Sequence, residues 1–259
     1  MTGDPSFVDR FDDPRITTQF CRRLSGETDV TLLGVVHDHP ASIARVETVL
    51  EYLEPDSLAL ELPGAAVPLY RTYARDSEGT PSPEFGGEMA AAIRAAPEAD
   101  VVGIDAPNWS FLRRLFTRLL ADRVPASTAR RVLSSLGGAT RTALTCRVAA
   151  TVSNATSVTV ACDDPIEYAC SADDPPATQA EHERRHVSGV RTLLQLQGDG
   201  ADATTYRDET RESCMTDHLE SLRAEGSVVA VVGVDHLEAL ETALAGSDGD
   251  GDGDDGSQR

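Results

Sequence analysis

The stretch TLLGVVHDHP, at residues 31–40, decides the fold because it reads as a buried strand that runs into a loop. Branched apolar residues over 30–36 predict the strand, and the motif Gly-x-x-His runs from Gly34 to His37. The stretch SVVAVVGVDHLEAL repeats this arrangement near the other end, from Gly233 to His236. The chain therefore carries two Gly-x-x-His motifs, each at the end of a predicted strand.

Strands alternate with helices along the rest of the chain. This alternation predicts an α/β fold with a mainly parallel central sheet flanked by helices. Strands are predicted over residues 30–36, 57–61, 101–105 and 227–232, while 157–162 is ambiguous. Helices are predicted over residues 40–53, 88–96, 113–120, 126–152, 181–197 and 205–223. Ser42 is the expected N-cap of the first long helix.

Three parts of the chain differ in character. Residues 1–29 are expected to be a loosely packed lead-in with a short helix around 18–24. Residues 30–245 form the predicted α/β domain, which includes a helical middle region. Residues 246–259 are rich in glycine and aspartate, and such low-complexity acidic sequence predicts a disordered tail.

The charge balance is strongly acidic. The chain has 43 acidic and 23 basic residues, a net charge of −20, and every basic residue is arginine. An acidic, lysine-free composition indicates a halophilic, archaeal type of protein, because high salt screens the self-repulsion. Such a chain is a poor partner for nucleic acid, and the missing lysine excludes a Walker A loop and a Schiff-base mechanism.

Targeting and redox features point to a cytoplasmic protein. The N-terminal segment has no apolar core typical of a signal peptide, and no apolar run is long enough to span a membrane. The five cysteines are scattered without a C-x-x-C motif, which favours reduced thiols. No sequence feature indicates an oligomeric state.

Polar residues follow four of the predicted strands. His37, Glu61, Asp105 and His236 all lie at strand ends, where α/β sheets bind ligands. If these ends are neighbours, two imidazoles and two carboxylates converge in one cleft. That set suits a divalent metal ion or general acid and base catalysis. The preceding Gly34 and Gly233 are expected to allow either close packing or an unusual turn.

Several motifs in this order resemble the TraB/PrgY family, which includes the Tiki proteins and has erythromycin-esterase-like and ChaN-like proteins as more distant relatives. The resemblance covers about residues 31–244. It rests on GVVHDHPASIARVETVLEYLEPDSLALEL, on FGGEMAAAIRAAPEADVVGIDAPNWSFLRR and on TRESCMTDHLESLRAEGSVVAVVGVDHLEAL. These segments match the family's first Gly-x-x-His and strand-end glutamate, its Gly-x-Glu-Met helix and Ile-Asp strand, and its Arg-x-x-x-Met helix with the second Gly-x-x-His.

The resemblance implies a TraB/Tiki-like fold and a metal-dependent hydrolase of peptides or small amides or esters. His37, Glu61 and His236 would hold a divalent metal ion or act as acid and base. Arg211 would orient a carboxylate or polarise a substrate carbonyl, or else form a structural ion pair with Glu88. Glu88 and Asp105 would be supporting or additional acids. A non-catalytic protein that binds a small ligand or peptide in the same cleft, as PrgY-like and ChaN-like members do, is the alternative.

Three other groups of histidine or cysteine residues could bind a metal ion. HERRH, at residues 182–186, matches the zincin pattern, but its charged surroundings favour a solvated helix face. HDH, at residues 37–39, resembles the His-x-His motif that ends the first strand of metal-binding amidohydrolase barrels. In an extended segment the two histidine side chains would point the same way and could reach one metal ion. Pro40 follows at once and favours a turn at His39 instead. Cys162 and Cys170 fit no zinc spacing, so a plain loop is expected around them.

Overall fold

A mixed five-stranded sheet forms the centre of the fold. The computed structural model describes residues 4–80, 82–105, 165–196 and 201–247, together with Thr145 and Ala149. The strands are β1 (Cys21–Leu24), β2 (Val30–Val35), β3 (Ser57–Pro63), β4 (Asp100–Asp105) and β5 (Val228–Gly233). Their order across the sheet is β1-β2-β5-β3-β4. The β2–β5, β5–β3 and β3–β4 pairings are parallel, whereas β1 runs antiparallel to β2.

Helices cover both faces of the sheet. They are a 3₁₀ helix (Pro5–Arg10), α1 (Pro40–Leu53), α2 (Val67–Asp76), α3 (Gly87–Ala95), α4 (Pro176–Leu196), α5 (Ala201–Arg223) and α6 (Leu237–Ser247). Side chains of α1, α3 and α4 belong to one apolar cluster, and those of α5 and α6 belong to another. None of the helices in these described residues is long and apolar enough to cross a membrane.

Strand β2 shows why the sheet is buried on both faces. Leu33 and Val35 pack into the cluster of α1 and α3, and Val30 and Leu32 pack into the cluster of α5 and α6. All six residues of β2 are buried. A continuous apolar run of this kind is typical of a central strand in a parallel sheet, because helices cover it on either side.

The N-terminal segment is part of the core, so the expected loose lead-in is wrong. Phe7, Ile16 and Phe20 are buried in the cluster that also contains Leu33. The short helix expected around residues 18–24 is the edge strand β1, because its backbone pairs with β2 from Cys21 to Leu24.

The turn between β2 and α1 differs from the expectation in two ways. His39 is the N-cap of α1, since its Nδ1 accepts the Ala41 N–H at 3.1 Å. Ser42, the predicted cap, instead accepts the Val36 N–H and donates to Glu183. The turn at His39 itself is confirmed.

Most predicted elements agree with the structure to within a few residues, and α1 agrees at both ends. The helices α2 and α6 and the 3₁₀ helix at Pro5–Arg10 were not predicted. The predicted helix at 113–120, the ambiguous segment 157–162, Cys162 and the acidic tail from residue 248 lie outside the described residues. So does the predicted helix at 126–152, apart from Thr145 and Ala149.

Gly34 and Gly233 do not have positive φ, so no unusual turn is needed there. A Cβ atom on Gly34 would lie 3.1 Å from Leu237 Cδ2, which makes close packing the reason for this glycine.

Candidate functional site

The carboxyl ends of the parallel strands bring the predicted polar residues together. Since β5 lies between β2 and β3, His236 after β5 stands between His37 after β2 and Glu61 in β3. Asp105 ends β4, next to β3. His37, Glu61 and His236 line one cavity. The two Gly-x-x-His histidines therefore lie in the wall of the same cavity as Glu61.

Carboxylates hold His236 at both ring nitrogens. Its Nδ1 lies 2.8 Å from Glu212 Oε1, and its Nε2 lies 3.3 Å from Glu61 Oε1. Burial lowers the pKa of this imidazole, but the hydrogen bonds and charges of Glu61 and Glu212 outweigh it and raise the pKa to about 9.

Both oxygens of Glu61 have partners in the fold. Oε1 accepts from Arg211 Nη2 at 2.7 Å, and Oε2 accepts the Gly233 N–H at 2.6 Å. Burial acts to raise the pKa of Glu61. The hydrogen bond and charge of His236, the charge of Arg211 and the Gly233 N–H overcome that effect and lower the pKa to about 2.

Glu88 holds the first motif histidine. Its Oε1 lies 2.7 Å from His37 Nδ1, and its Oε2 accepts the Asp38 N–H at 2.9 Å. Glu88 is 2% exposed, whereas the His37 side chain is 59% exposed. The hydrogen bond that His37 donates to Glu88 raises the pKa of His37 to about 9, against the opposing effect of burial. With Nδ1 turned to Glu88, Nε2 is the ring nitrogen left for the cleft.

Left-handed backbone at Asp38 separates His37 from His39. Asp38 has φ of +56°, which interrupts the extended alternation that would point both imidazoles the same way. Gly87 has φ of +44°, and the Asp38 carboxylate lies directly against it. Only glycine allows this contact, because a Cβ atom at position 87 would collide with the carboxylate. The two outer histidines of HDH therefore have different surroundings, and the shared-metal interpretation of that motif is wrong.

Arg211 of α5 ties two strand ends together. Its Nε and Nη2 reach both oxygens of Asp105 at 2.8 and 3.0 Å, and Nη2 also reaches Glu61. These carboxylates raise the pKa of the guanidinium, so its charge is permanent. The ion pair considered as the structural alternative for Arg211 and Glu88 does hold α5 to the sheet, but its partners are Glu61 and Asp105, whereas Glu88 pairs with His37.

Two adjoining cavities share His37, Glu61 and Ile166 in their walls. The first, of about 450 Å³, is bordered by aromatic side chains: Tyr70, Tyr73 and Phe85. The second, of about 440 Å³, is bordered by charged and polar groups that include Arg211 and His236. Together they have the size and mixed polarity of a small-molecule or peptide site.

A segment before α4 closes one side of the cleft. The Ile166 N–H donates to the Asp38 carboxylate at 3.0 Å, and the Tyr168 hydroxyl donates to the His37 carbonyl at 2.7 Å. Sequence reasoning missed Tyr168, Asp38 and Glu212. Glu212 follows Arg211 directly in the Arg-x-x-x-Met motif, which was the one signal that could have found it.

Among the described residues, His37, Glu61 and His236 do not form a group whose donor atoms all lie within 4.8 Å of one another, so the predicted three-ligand set is not assembled. Two features nevertheless suit a divalent ion. Metal-binding histidines almost always donate their second ring N–H to a carboxylate or carbonyl, and both motif histidines are placed to do so, to Glu88 and Glu212. Two donors on one tetrahedral ion lie roughly 3.3 Å apart. His236 Nε2 and Glu61 Oε1 have this separation.

The zincin interpretation of HERRH does not hold, and neither does the solvated face that was preferred to it. Glu183 and Arg45 are both fully buried and form a bidentate ion pair, at 2.6 and 2.9 Å. His182 Nδ1 lies 2.9 Å from His39 Nε2, so His182 faces His39 and is not paired with His186 as in a zincin.

Comparison of the chain with protein-family models, with curated proteins and with solved structures found no match.

Proposed function

We propose that this chain is a metal-dependent hydrolase of the TraB/Tiki type that acts on a peptide or a small amide or ester. One observation carries the proposal: each Gly-x-x-His imidazole has its Nδ1 on a carboxylate, and both line a cavity with Glu61. The motif resemblance described above supports the same chemistry. In this proposal His236 and Glu61 hold the divalent ion.

A bound divalent ion would lower the pKa of water and polarise the scissile carbonyl. Glu212 holds the His236 ring with Nε2 toward Glu61. Arg211 keeps Glu61 ionised and fixed, which is the state a metal ligand requires. Glu88 has both oxygens occupied by His37 and the Asp38 N–H, so it acts as a positioning residue.

Two roles are open to the Nε2 of His37. It is either a third ligand, or the base that takes a proton from the attacking water while Glu88 stabilises the imidazolium. The variant His37→Ala separates these roles. Loss of both metal and turnover indicates a ligand, and loss of turnover with the metal retained indicates a base.

The test combines metal content with hydrolysis of a peptide library, measured in molar KCl because of the acidic composition. We expect His236→Ala and Glu61→Gln to lose metal from the cleft and to lose turnover. His218→Ala is the matched control: its Nδ1 contacts the Cys214 carbonyl in α5, outside both cavities. Turnover that survives in His236→Ala contradicts the proposal.

The hydrogen-bond partners of Glu61 favour a second function. Its oxygens already have an arginine, a backbone N–H and an imidazole as partners, so the hydrogen-bonding capacity of this carboxylate is used without an ion. This arrangement suits a non-catalytic protein that binds a small ligand or peptide in the cleft. A wild-type chain that binds members of the library, hydrolyses none and takes up no metal through His236 would establish this second function.

A further inference from the structure

Three potential metal ligands from distant segments meet beside the N-terminus of α1. They are His39, Cys170 and His182, whose donor atoms all lie within 4.8 Å of one another. His39 and Cys170 are buried and His182 is half-buried. The closest pair, His39 Nε2 and His182 Nδ1, is 2.9 Å apart.

We propose that His39, Cys170 and His182 form a metal site, separate from the cleft, for zinc or a similar borderline-soft divalent ion. One thiolate and two imidazoles are a donor set that zinc prefers, and water or a nearby carboxylate completes four-coordination. Asp174 interacts with the Cys170 thiol and is a carboxylate that could serve as this further ligand. The inference does not depend on the hydrolase proposal, because it uses none of the cleft residues.

The fold brings the three ligands together before any ion binds. In the ion-free fold His39 is the N-cap of α1. His182 precedes Glu183, whose fully buried pair with Arg45 fixes this turn of α4 against α1. The loop after Cys170 is tied to α4 by Gln179, whose side-chain amide donates to the carbonyls of Ala172 and Asp174 at 3.0 and 2.8 Å.

Binding requires a small, defined rearrangement. The Nδ1 of His39 accepts the Ala41 N–H, so Nε2 carries the ring proton and donates to His182. An ion at Nε2 moves that proton to Nδ1 and releases the cap bond to Ala41. The thiol proton of Cys170 goes to solvent. The two imidazole nitrogens must also separate by a few tenths of an ångström to reach the spacing of two ligands on one ion.

The probe is Co²⁺, titrated into the full chain after removal of metals with a chelator. A cysteine thiolate bound to Co²⁺ gives a near-ultraviolet charge-transfer band, and the proposed cleft ligands include no cysteine. We expect the band in the wild type and in Cys214→Ser, the control for a buried cysteine elsewhere. We expect it to be absent in Cys170→Ser. An absent band in the wild type, or one that survives in Cys170→Ser, overturns the site.

Two further variants protect the test against misfolding. His39→Asn keeps a capping side chain for α1 but removes the imidazole, and His182→Gln removes the second one. We expect each to weaken Co²⁺ binding by more than about 100-fold, beyond the loss that an outer positioning residue causes. Unchanged affinity in either variant, with a wild-type circular dichroism spectrum, overturns the site. The band must also persist in His236→Ala, which removes the cleft ligand and so separates failure of the two proposals.

Discussion

Replacing Arg211 by methionine tests the electrostatic framework of the cleft. Arg211 neutralises Glu61 and Asp105 at the ends of two adjacent strands, and its side chain is 19% exposed. Methionine fills much of the space but leaves two carboxylates without their shared cation. Breaking a buried pair in this way costs about 3–5 kcal/mol when the remaining charge has no other partner.

Glu61 keeps His236 and the Gly233 N–H as partners in the variant, so the loss should lie at the lower end of this range, at about 3 kcal/mol at pH 7. In the wild type the folded pKa of Glu61 is lowered to about 2, so its contribution is present above pH 4.5 and is lost as pH falls toward 2. The deficit of the variant should therefore shrink as the pH falls from 4.5 toward 2.

The assay is urea unfolding followed by circular dichroism at several pH values in constant molar KCl. The thermal midpoint at pH 7 should fall by roughly 6–12 °C for a chain of this size. Arg22→Met, which removes a more exposed pair with Glu241, is the control and should cost no more than about 1 kcal/mol. A loss for Arg211→Met that stays constant between pH 4.5 and 2, or one below about 1 kcal/mol at pH 7, refutes the reasoning.

Three further predictions concern the surroundings of the site. Arg45→Met and Glu183→Leu should each destabilise by about 3–5 kcal/mol in urea unfolding, whereas the double variant should recover most of the loss; additive losses would contradict this. Glu88→Gln removes the main cause of the raised His37 pKa, so NMR titration should show it falling from about 9 toward 6.5, and an unchanged value would place the cause elsewhere. Gly87→Ala introduces a Cβ at positive φ against Asp38 and should cost more than about 1 kcal/mol in thermal unfolding; a neutral result would exclude this geometry.

The parallel strands and the helices α1, α3, α4 and α5 were predictable because their signals are local. Apolar runs bounded by glycine and polar residues mark β2 and β5, and helical spacing marks α1. Once strand ends are known, the shared edge of a parallel sheet places His37, Glu61 and His236 near one another without any coordinates. The edge strand β1 was missed because CRRL carries no apolar periodicity; its conformation comes from backbone pairing with β2.

The surroundings of HERRH were not predictable, because they depend on residues remote in sequence. A helix with charges on nearly every side predicts exposure to solvent. Glu183 is nevertheless buried in an ion pair with Arg45, which lies 138 residues earlier in the chain. Likewise, His39 meets His182 only because α4 packs against α1. Glu212 was missed for the opposite reason: it lies in a recognised motif, but nothing in the sequence shows that it faces His236 rather than solvent.

The proposed metal site and the cleft share one structural element, the segment from residue 165 to Cys170. Cys170, at one end of the segment, would bind the ion. Within the segment, the Ile166 N–H donates to the Asp38 carboxylate and the Tyr168 hydroxyl donates to the His37 carbonyl. An ion that orders this segment lowers the entropy that a cleft ligand must otherwise remove, so the two sites should bind with positive coupling. Thermodynamic linkage requires the effect to be reciprocal: a cleft ligand should tighten Co²⁺ binding at Cys170 by the same factor that Co²⁺ tightens the ligand. The coupling should disappear when Tyr168→Phe removes the hydrogen bond to the His37 carbonyl, and coupling that survives unchanged in this variant would exclude that bond as its route.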